Sequence, residues 1–469
     1  MPIYWHRRDL RGPDNRGLAR ARSFDGPIVP IFVLDPTILE HAAPVRVACL
    51  LEALADLRQW YRKRDSDLLV VRGEASAVLP ELAAEHGVET VVWVDDYSGL
   101  ARGRDRAVTA ALEDEGVDCE TVHDALHHEP GSITPSTGGN HYSVFSYFWK
   151  KWRDREKRAP VDPPTDGELA AVHGEALPSL AELGFDEPEP TPPTVTRARA
   201  RDRLESFCAD DIYRYAEKRD YPAAEATSRL SVHLKWGTVG VREVYTATER
   251  ARECADTDTA RESVTAFQRQ LAFREFYVHV LAFNPETVTE NFDEYENEIP
   301  WRNDRDELAA WKAGETGYPI VDAGMRQLRR EGWIHNRVRM LVAAFLTKDL
   351  LIDWREGYAH FRRLLADHDT ANDVGGWQWA SSTGTDAQPY FRVFNPVKQG
   401  REYDPDAEYI REYVPELADA TAAEIHGWHD LEPEDRTAIA PSYPAPIVDH
   451  GRRRERAIEA FERARGESE

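Results

Sequence analysis

Cysteine is scarce: four residues in 469, Cys49, Cys119, Cys208 and Cys254, far apart and never in a CxxC pair. A disulfide framework and a structural zinc or iron–sulfur site are therefore not expected, and a reducing cytoplasm fits. No apolar run reaches 18 residues and no charged-then-apolar N-terminus precedes the first strand, so neither a membrane span nor a secretory signal is expected. Dinucleotide GxGxxG and Walker loops are absent. Lysine is scarce too, with nine residues against 50 arginines, while 84 acidic side chains bring the net charge to -25. An acidic, lysine-poor, arginine-rich surface resembles that of proteins from salt-accumulating organisms, where abundant cations screen self-repulsion. It does not exclude nucleic acid, because a local basic groove can coexist with an acidic exterior.

What the chain does contain is ordered in three parts. Residues 1–128 alternate short apolar runs with amphipathic stretches: Ile3–Trp5, Pro27–Leu34, Asp67–Val71 and Thr90–Val94 read as buried strands. Val45–Lys63, Ala75–His86 and Ala101–Glu115 read as helices. That alternation predicts an α/β domain with a doubly wound parallel sheet. Residues 129–196 form a proline-rich connector, although Tyr142–Trp152 (YSVFSYFWKKW) is too aromatic for a free linker. Residues 197–469 read as all-α. Within them Val338–Ile352 is nearly continuous apolar sequence interrupted by Arg339, Lys348 and Asp349, a buried helix whose charges need partners.

Asp367–Gly400, DHDTANDVGGWQWASSTGTDAQPYFRVFNPVKQG, combines aspartates, tryptophans and small residues with almost no helical periodicity, and reads as irregular, site-building backbone. Three further stretches join charge to aromatics: Tyr215–Gly237 with its TSRLS run, Gln270–Tyr277 (QLAFREFY) and Gly332–Met340 (GWIHNRVRM). The hydroxyls and amides of TSRLS can receive a phosphate.

With YWHRRDLRGPDNRGLA, TSRLS, TGYPIVDAGMRQL, GWIHNRVRM, KDLLIDWREG and GGWQWASSTGTDAQPYFRVFNP, the chain resembles the photolyase and cryptochrome flavoproteins over nearly its whole length, most of all class I photolyases of cyclobutane pyrimidine dimers. The resemblance implies an antenna domain, a connector and a helical domain that binds FAD. It implies flavin contacts at Tyr215, Thr227, Ser228, Arg229, Leu230, Ser231, Arg274, Asn336, Arg339, Asp367, His368, Asp369 and Asp373, with Arg339 paired to Asp349. Trp301, Trp354 and Trp377 are implied as an electron chain. On the DNA side it implies Arg219, Gln270, Phe273, Asn336, Arg337, Met340, Trp379 and Gln399. Photolyases are among the enzymes that extrude their target from the base stack, and Trp379 is expected to stack on it. The expected protein is a cytoplasmic monomer, without metal, acting on dimer-containing DNA.

Three positions depart from the family pattern. Gln270 stands where glutamate is usual and Phe273 where tryptophan is usual, which keeps hydrogen bonding and stacking but loses an acidic proton and some stacking area. Asp373 stands where photolyases commonly carry asparagine and plant cryptochromes aspartate. A protonated Asp373 would donate to a photoreduced flavin, so the alternative is a cryptochrome-type blue-light sensor. Asn336 and Met340 occupy the positions of the histidine pair expected for (6-4) photoproduct repair. The antenna chromophore is expected to be a deazaflavin near Arg46 and Asp96 rather than a folate, or to be absent, since Ala101 replaces the folate-gripping acid.

Overall fold

The computed structural model describes residues 1–136 and 138–467, which divide into two compact units. One comprises Met1–Pro188, Pro192–Ala216 and Thr227–Pro285; the other comprises Glu189–Thr191, Glu217–Ala226 and Glu286–Glu469. No helix among the described residues is long and apolar enough to cross a membrane.

The first unit is built on a parallel sheet of β1 (Pro2–His6), β2 (Val29–Leu34), β3 (Leu69–Arg72), β4 (Thr90–Val94) and β5 (Asp118–Val122) in the order β3-β2-β1-β4-β5. Ile3 pairs with Val29 on one side and Val91 on the other, and β1, β2 and β4 are wholly buried. Parallel strands covered on both faces must be apolar throughout, which is why they read as continuous runs. Helices α1 (Pro44–Arg62), α2 (Ala75–His86) and α3 (Gly99–Asp114) complete the doubly wound pattern. The edge strand β5 (DCETV) is half-exposed and polar, and sequence periodicity does not reveal it.

Helix α4 (Phe145–Asp154) buries Phe145, Phe148 and Trp152 at i, i+3 and i+7, one stripe of a helix. Next come α5 (Ser231–Trp236), α6 (Val241–Cys254) and the 26-residue α7 (Asp258–Phe283), whose start is capped by Thr257. The stripe of α4 lies on α7, with ring centroids of Phe145 and Phe273 4.3 Å apart. A buried ion network ties α6 to the segment after β1: Arg242 reaches Asp14 at 2.7 Å and Asp124 at 2.5 Å, and Arg11 also pairs with Asp124.

Glu275 on α7 accepts the backbone N–H groups of His127 and His128, both at 2.9 Å, and is fully enclosed. Burial pushes its carboxyl up to about 7, against the opposing pull of those amides, Trp152 and Arg274. Folded protein therefore binds a proton that the unfolded chain has already released between the ordinary glutamate value and about 7. The stabilisation is present at the acid end of that window and is lost as pH rises through it, at no more than about 1.4 kcal/mol per pH unit. Thermal midpoints in high salt are expected to fall between pH 5 and 7.5, and Glu275→Gln to flatten that slope; an unchanged slope would refute the assignment.

The second unit is helical. Helix α8 (Asn336–Ala344) widens into a π-helical turn, Phe345–Asp349. It is followed by α9 (Trp354–Leu364), α10 (Thr370–Ser381), α11 (Pro396–Tyr403) and α12 (His450–Ala464). Ten residues along this run place Asp349 about 15 Å from Arg339 along the axis, so the expected pair does not form: Asp349 meets His450 Nδ1 at 2.6 Å. The expected irregular stretch Asp367–Gly400 is helical over α10 and at its C-terminal end. Asp369 caps α10 through the Asn372 N–H, and tertiary packing overrides the poor propensity of its paired glycines. The far end of α10 is held by fully buried Lys348, which donates to the Ser381 carbonyl at 3.1 Å and Ser382 Oγ at 2.9 Å. Ser382 itself takes the left-handed conformation, φ +66°.

Candidate functional site

In the first unit the TSRLS run precedes α5. Arg229 holds φ +48°, where a side chain is uncommon and the loop must be constrained. Leu230 sits at the N-cap with no side-chain hydrogen bond to the helix, so the opening amides of α5 are not capped by a side chain. Thr227, Ser228 and Arg229 are half-buried, Leu230 is buried and Ser231 is exposed. Uncapped amides beside hydroxyls form a donor set suited to phosphate oxygens. Tyr215 is buried against Phe207 and Phe267. Arg274 donates to the Ala125 carbonyl at 3.0 Å. Gln270 and Phe273 lie three residues apart on α7, hence on one face; both are half-buried.

At the positions expected to flank an antenna chromophore, Asp96 follows the C-terminal end of β4 and reaches Arg8 at 3.4 Å, while buried Arg46 on α1 donates to the His41 carbonyl at 3.4 Å. Burial opposes the Asp96 charge, but Arg8 and Arg7 outweigh it and hold the carboxyl well below its usual range. Ala101 is buried in the first turn of α3, capped by Ser98.

The second unit assembles Arg339 and four acidic or imidazole side chains around the start of α10. Arg339 Nη1 lies 3.0 Å from Asp373 Oδ1, and Nη2 lies 3.4 Å from the Asp367 carboxylate. Asp373 Oδ2 is 2.6 Å from His368 Nδ1 and accepts the Asp369 N–H at 3.2 Å. Burial disfavours the guanidinium charge, yet Asp367 and Asp373 outweigh burial and raise the Arg339 pKa above the ordinary arginine value. The cluster is one arginine balancing two carboxylates, with Asp373 held by donors on both oxygens.

Two residues apart on α10, Trp377 and Trp379 point about 200° away from each other around the axis. Trp377 is 3% exposed and packs on Phe361 at 5.0 Å and Trp311 at 6.1 Å, while Trp379 is half-buried and meets Phe394 at 6.4 Å. A Cβ on Gly357 of α9 would overlap the Trp377 ring, so glycine there is what admits the indole. Trp354 is wholly buried, its Nε1 donating to Asn291 at 2.9 Å, and half-exposed Trp301 packs on Phe461 at 5.9 Å.

A separate group gathers the expected phosphate-contacting arginines. Arg337 pairs with Asp220 at 2.9 Å and stacks 4.3 Å above Tyr403, and Arg219 approaches the same Asp220 at 3.9 Å. Exposed Asn336 reaches Met340 Sδ at 3.8 Å. Gln399 donates to Glu402 at 3.3 Å while its buried Oε1 has no partner among the described residues. Sequence reasoning missed Asp220, which holds both arginines, and Trp311, the second indole beside Trp377. The acid next to Arg219 and the apolar setting of LAAWKA were the available signals, and neither is distinctive without the fold. Among the described residues no cluster of histidine, cysteine and acid could hold a metal.

Known proteins bear on these sites. The model of the DNA photolyase family matches residues 2–166, and that of the FAD binding domain of DNA photolyase matches residues 267–463. A deoxyribodipyrimidine photo-lyase of Halobacterium salinarum is 57% identical, with 100% of both chains covered. Among solved structures, a bacterial class III photolyase from Agrobacterium tumefaciens superposes with TM-score 0.90 at 34% identity, covering 99% of this chain and 98% of that one. A Synechocystis cryptochrome superposes with TM-score 0.89 at 25% identity, covering 98% and 99%.

Proposed function

Because the chain belongs to the DNA photolyase family, we propose that it uses FAD and blue light to split cyclobutane pyrimidine dimers in DNA, acting as a monomer. The observation that carries this reading is α10, which buries one indole, Trp377, in the core and leaves another, Trp379 two residues on, half-exposed on its opposite side. In this assignment Trp379 stacks on the extruded pyrimidines, Asn336 hydrogen-bonds a base edge, and Arg219 and Arg337 hold flanking phosphates. Gln399 supplies a further polar contact on the DNA side. Gln270 and Phe273 offer the lesion hydrogen bonding and a modest stacking face, and Trp379 a larger one.

The donor set of Thr227–Ser231 suits the FAD pyrophosphate, assisted by Arg274, with Tyr215 alongside. Arg339, Asp367, His368, Asp369 and Asp373 suit the flavin ring. When bound, reduced FAD supplies the electron that opens the cyclobutane ring and takes it back afterwards. The side chains orient the dimer, exclude water and fix charge. Trp377 and Trp354, both buried, and Trp301, partly exposed, serve to recharge the cofactor from the surface.

Asp373 separates repair enzyme from sensor. Its oxygens face Arg339, the Asp369 N–H and His368, so in this reading it serves as the acceptor that holds Arg339 and the Asp369 amide. That favours repair over the sensor alternative. For the antenna, a deazaflavin near Arg46 and Asp96, or none, remains the assignment; the native absorption spectrum decides it.

Binding to a dimer-containing duplex and its undamaged counterpart tests the lesion assignment. Trp379→Ala is expected to lower affinity for the damaged duplex by about 1–3 kcal/mol while leaving undamaged binding nearly unchanged. Equal loss on both duplexes would contradict it.

A further inference from the structure

The end of α4 and the turn after it form a basic stretch in an otherwise acidic chain. Residues 149–158, WKKWRDREKR, carry six cations against two carboxylates, a local charge of +4 in a chain of -25, and hold three of its nine lysines. Lys157 is structural: its ammonium lies 3.9 Å above the Trp152 ring and bonds backbone carbonyls. Lys150 and Lys151 are different. Both are exposed, and among the described residues neither enters an ion pair. Beside them Tyr147 is 57% exposed, with the Lys150 ammonium 5.7 Å from its ring. Arg153 is also exposed and pairs with its neighbour Asp154 at 3.0 Å.

Elsewhere buried arginines of this chain answer carboxylates, as Arg242 answers Asp14 and Asp124. Unpaired lysines beside an exposed tyrosine have no such internal explanation. The face also lies beside expected DNA-side residues of the same unit. The opposite side of α4 packs on the helix that carries Gln270 and Phe273, through Phe145 on Phe273 at 4.3 Å and Phe148 on Phe276 at 5.6 Å. Arg269, exposed next to Gln270, lies 5.3 Å above the Phe145 ring.

We propose that the exposed face of α4, through Lys150, Lys151, Arg153 and Tyr147, binds the phosphate backbone of duplex DNA away from the dimer. This extends the repair reading and rests on it. Phosphate contacts position a protein without reading sequence. At molar salt the screening length is about 3 Å, so only direct contacts survive, and an aromatic ring among the cations adds contact area that salt does not screen.

The test is the double variant Lys150→Gln with Lys151→Gln, with Tyr147→Ala alongside, each confirmed by flavin content and circular dichroism. Affinity for a damaged and an undamaged duplex is measured across salt concentrations. The lysine variant is expected to weaken both duplexes by the same factor and to reduce the slope of log affinity against log salt by about 2, roughly 0.9 per phosphate contact. Tyr147→Ala is expected to weaken both with little change of slope. An unchanged affinity and slope would overturn the proposal, as would a loss confined to the damaged duplex. A wild-type protein that binds and repairs damaged DNA alongside an indifferent variant refutes only this surface. A wild-type protein that binds no damaged DNA refutes the repair reading itself.

Discussion

Arg339→Leu is expected to destabilise the protein by roughly 3 kcal/mol, the low end for breaking a buried pair because the side chain remains a quarter exposed. The loss comes from what the substitution leaves behind. Asp367 and Asp373 are 5% and 4% exposed, and Arg339 is the cation both of them face. Without it two carboxylates share a low-dielectric pocket with only His368 and an amide to answer Asp373. The variant is also expected to release flavin on dialysis in high salt, since the ring then meets uncompensated negative charge. Thermal unfolding and flavin absorbance measure the two effects. A variant with wild-type midpoint and full flavin content would show that the cluster is not the cofactor's electrostatic partner.

Trp377→Phe is expected to abolish most light-driven reduction of bound flavin by an external donor while leaving flavin content and dimer affinity near wild type. Phenylalanine fills much of the space against Phe361 and Gly357, so the fold is kept, but benzene yields an electron far less readily than indole. Trp311, 6.1 Å from Trp377, provides an internal comparison: Trp311→Phe leaves the proposed chain intact and is expected to reduce the rate far less. Bleaching of the flavin band under steady illumination measures both. Equal rates in Trp377→Phe and wild type would remove Trp377 from the electron route.

The α/β part of the fold was largely legible. Strands β1, β2, β3 and β4 lie within two residues of the apolar runs that announce them, and α2 has the bounds its pattern suggests, because burial on both faces writes itself directly into composition. β5 was not legible, since an edge strand reading DCETV has no apolar run. Asp367–Gly400 was misread for the opposite reason. Its candidate residues Asp373, Trp377 and Trp379 stand on a helix whose interior glycines argue locally for a loop, and packing of Trp377 and Ala380 in the core overrides them. The expected Arg339–Asp349 pair failed because ten residues along one helical run separate the two by about 15 Å. Contacts such as Glu275 with the 127–128 backbone, separated by nearly 150 residues, and the shared grip of Asp220 on Arg219 and Arg337 exist only once the chain has folded. The identities of the candidate site residues could be proposed from motifs; their partners could not.

The most direct measurement is repair itself. Purified protein with reduced flavin is mixed with dimer-containing DNA at high salt, and the dimer content is followed under blue light and in the dark. The account predicts light-dependent loss of dimers with restored pyrimidines and no net consumption of reductant. Dimers that persist equally in light and dark would contradict it and favour a light sensor.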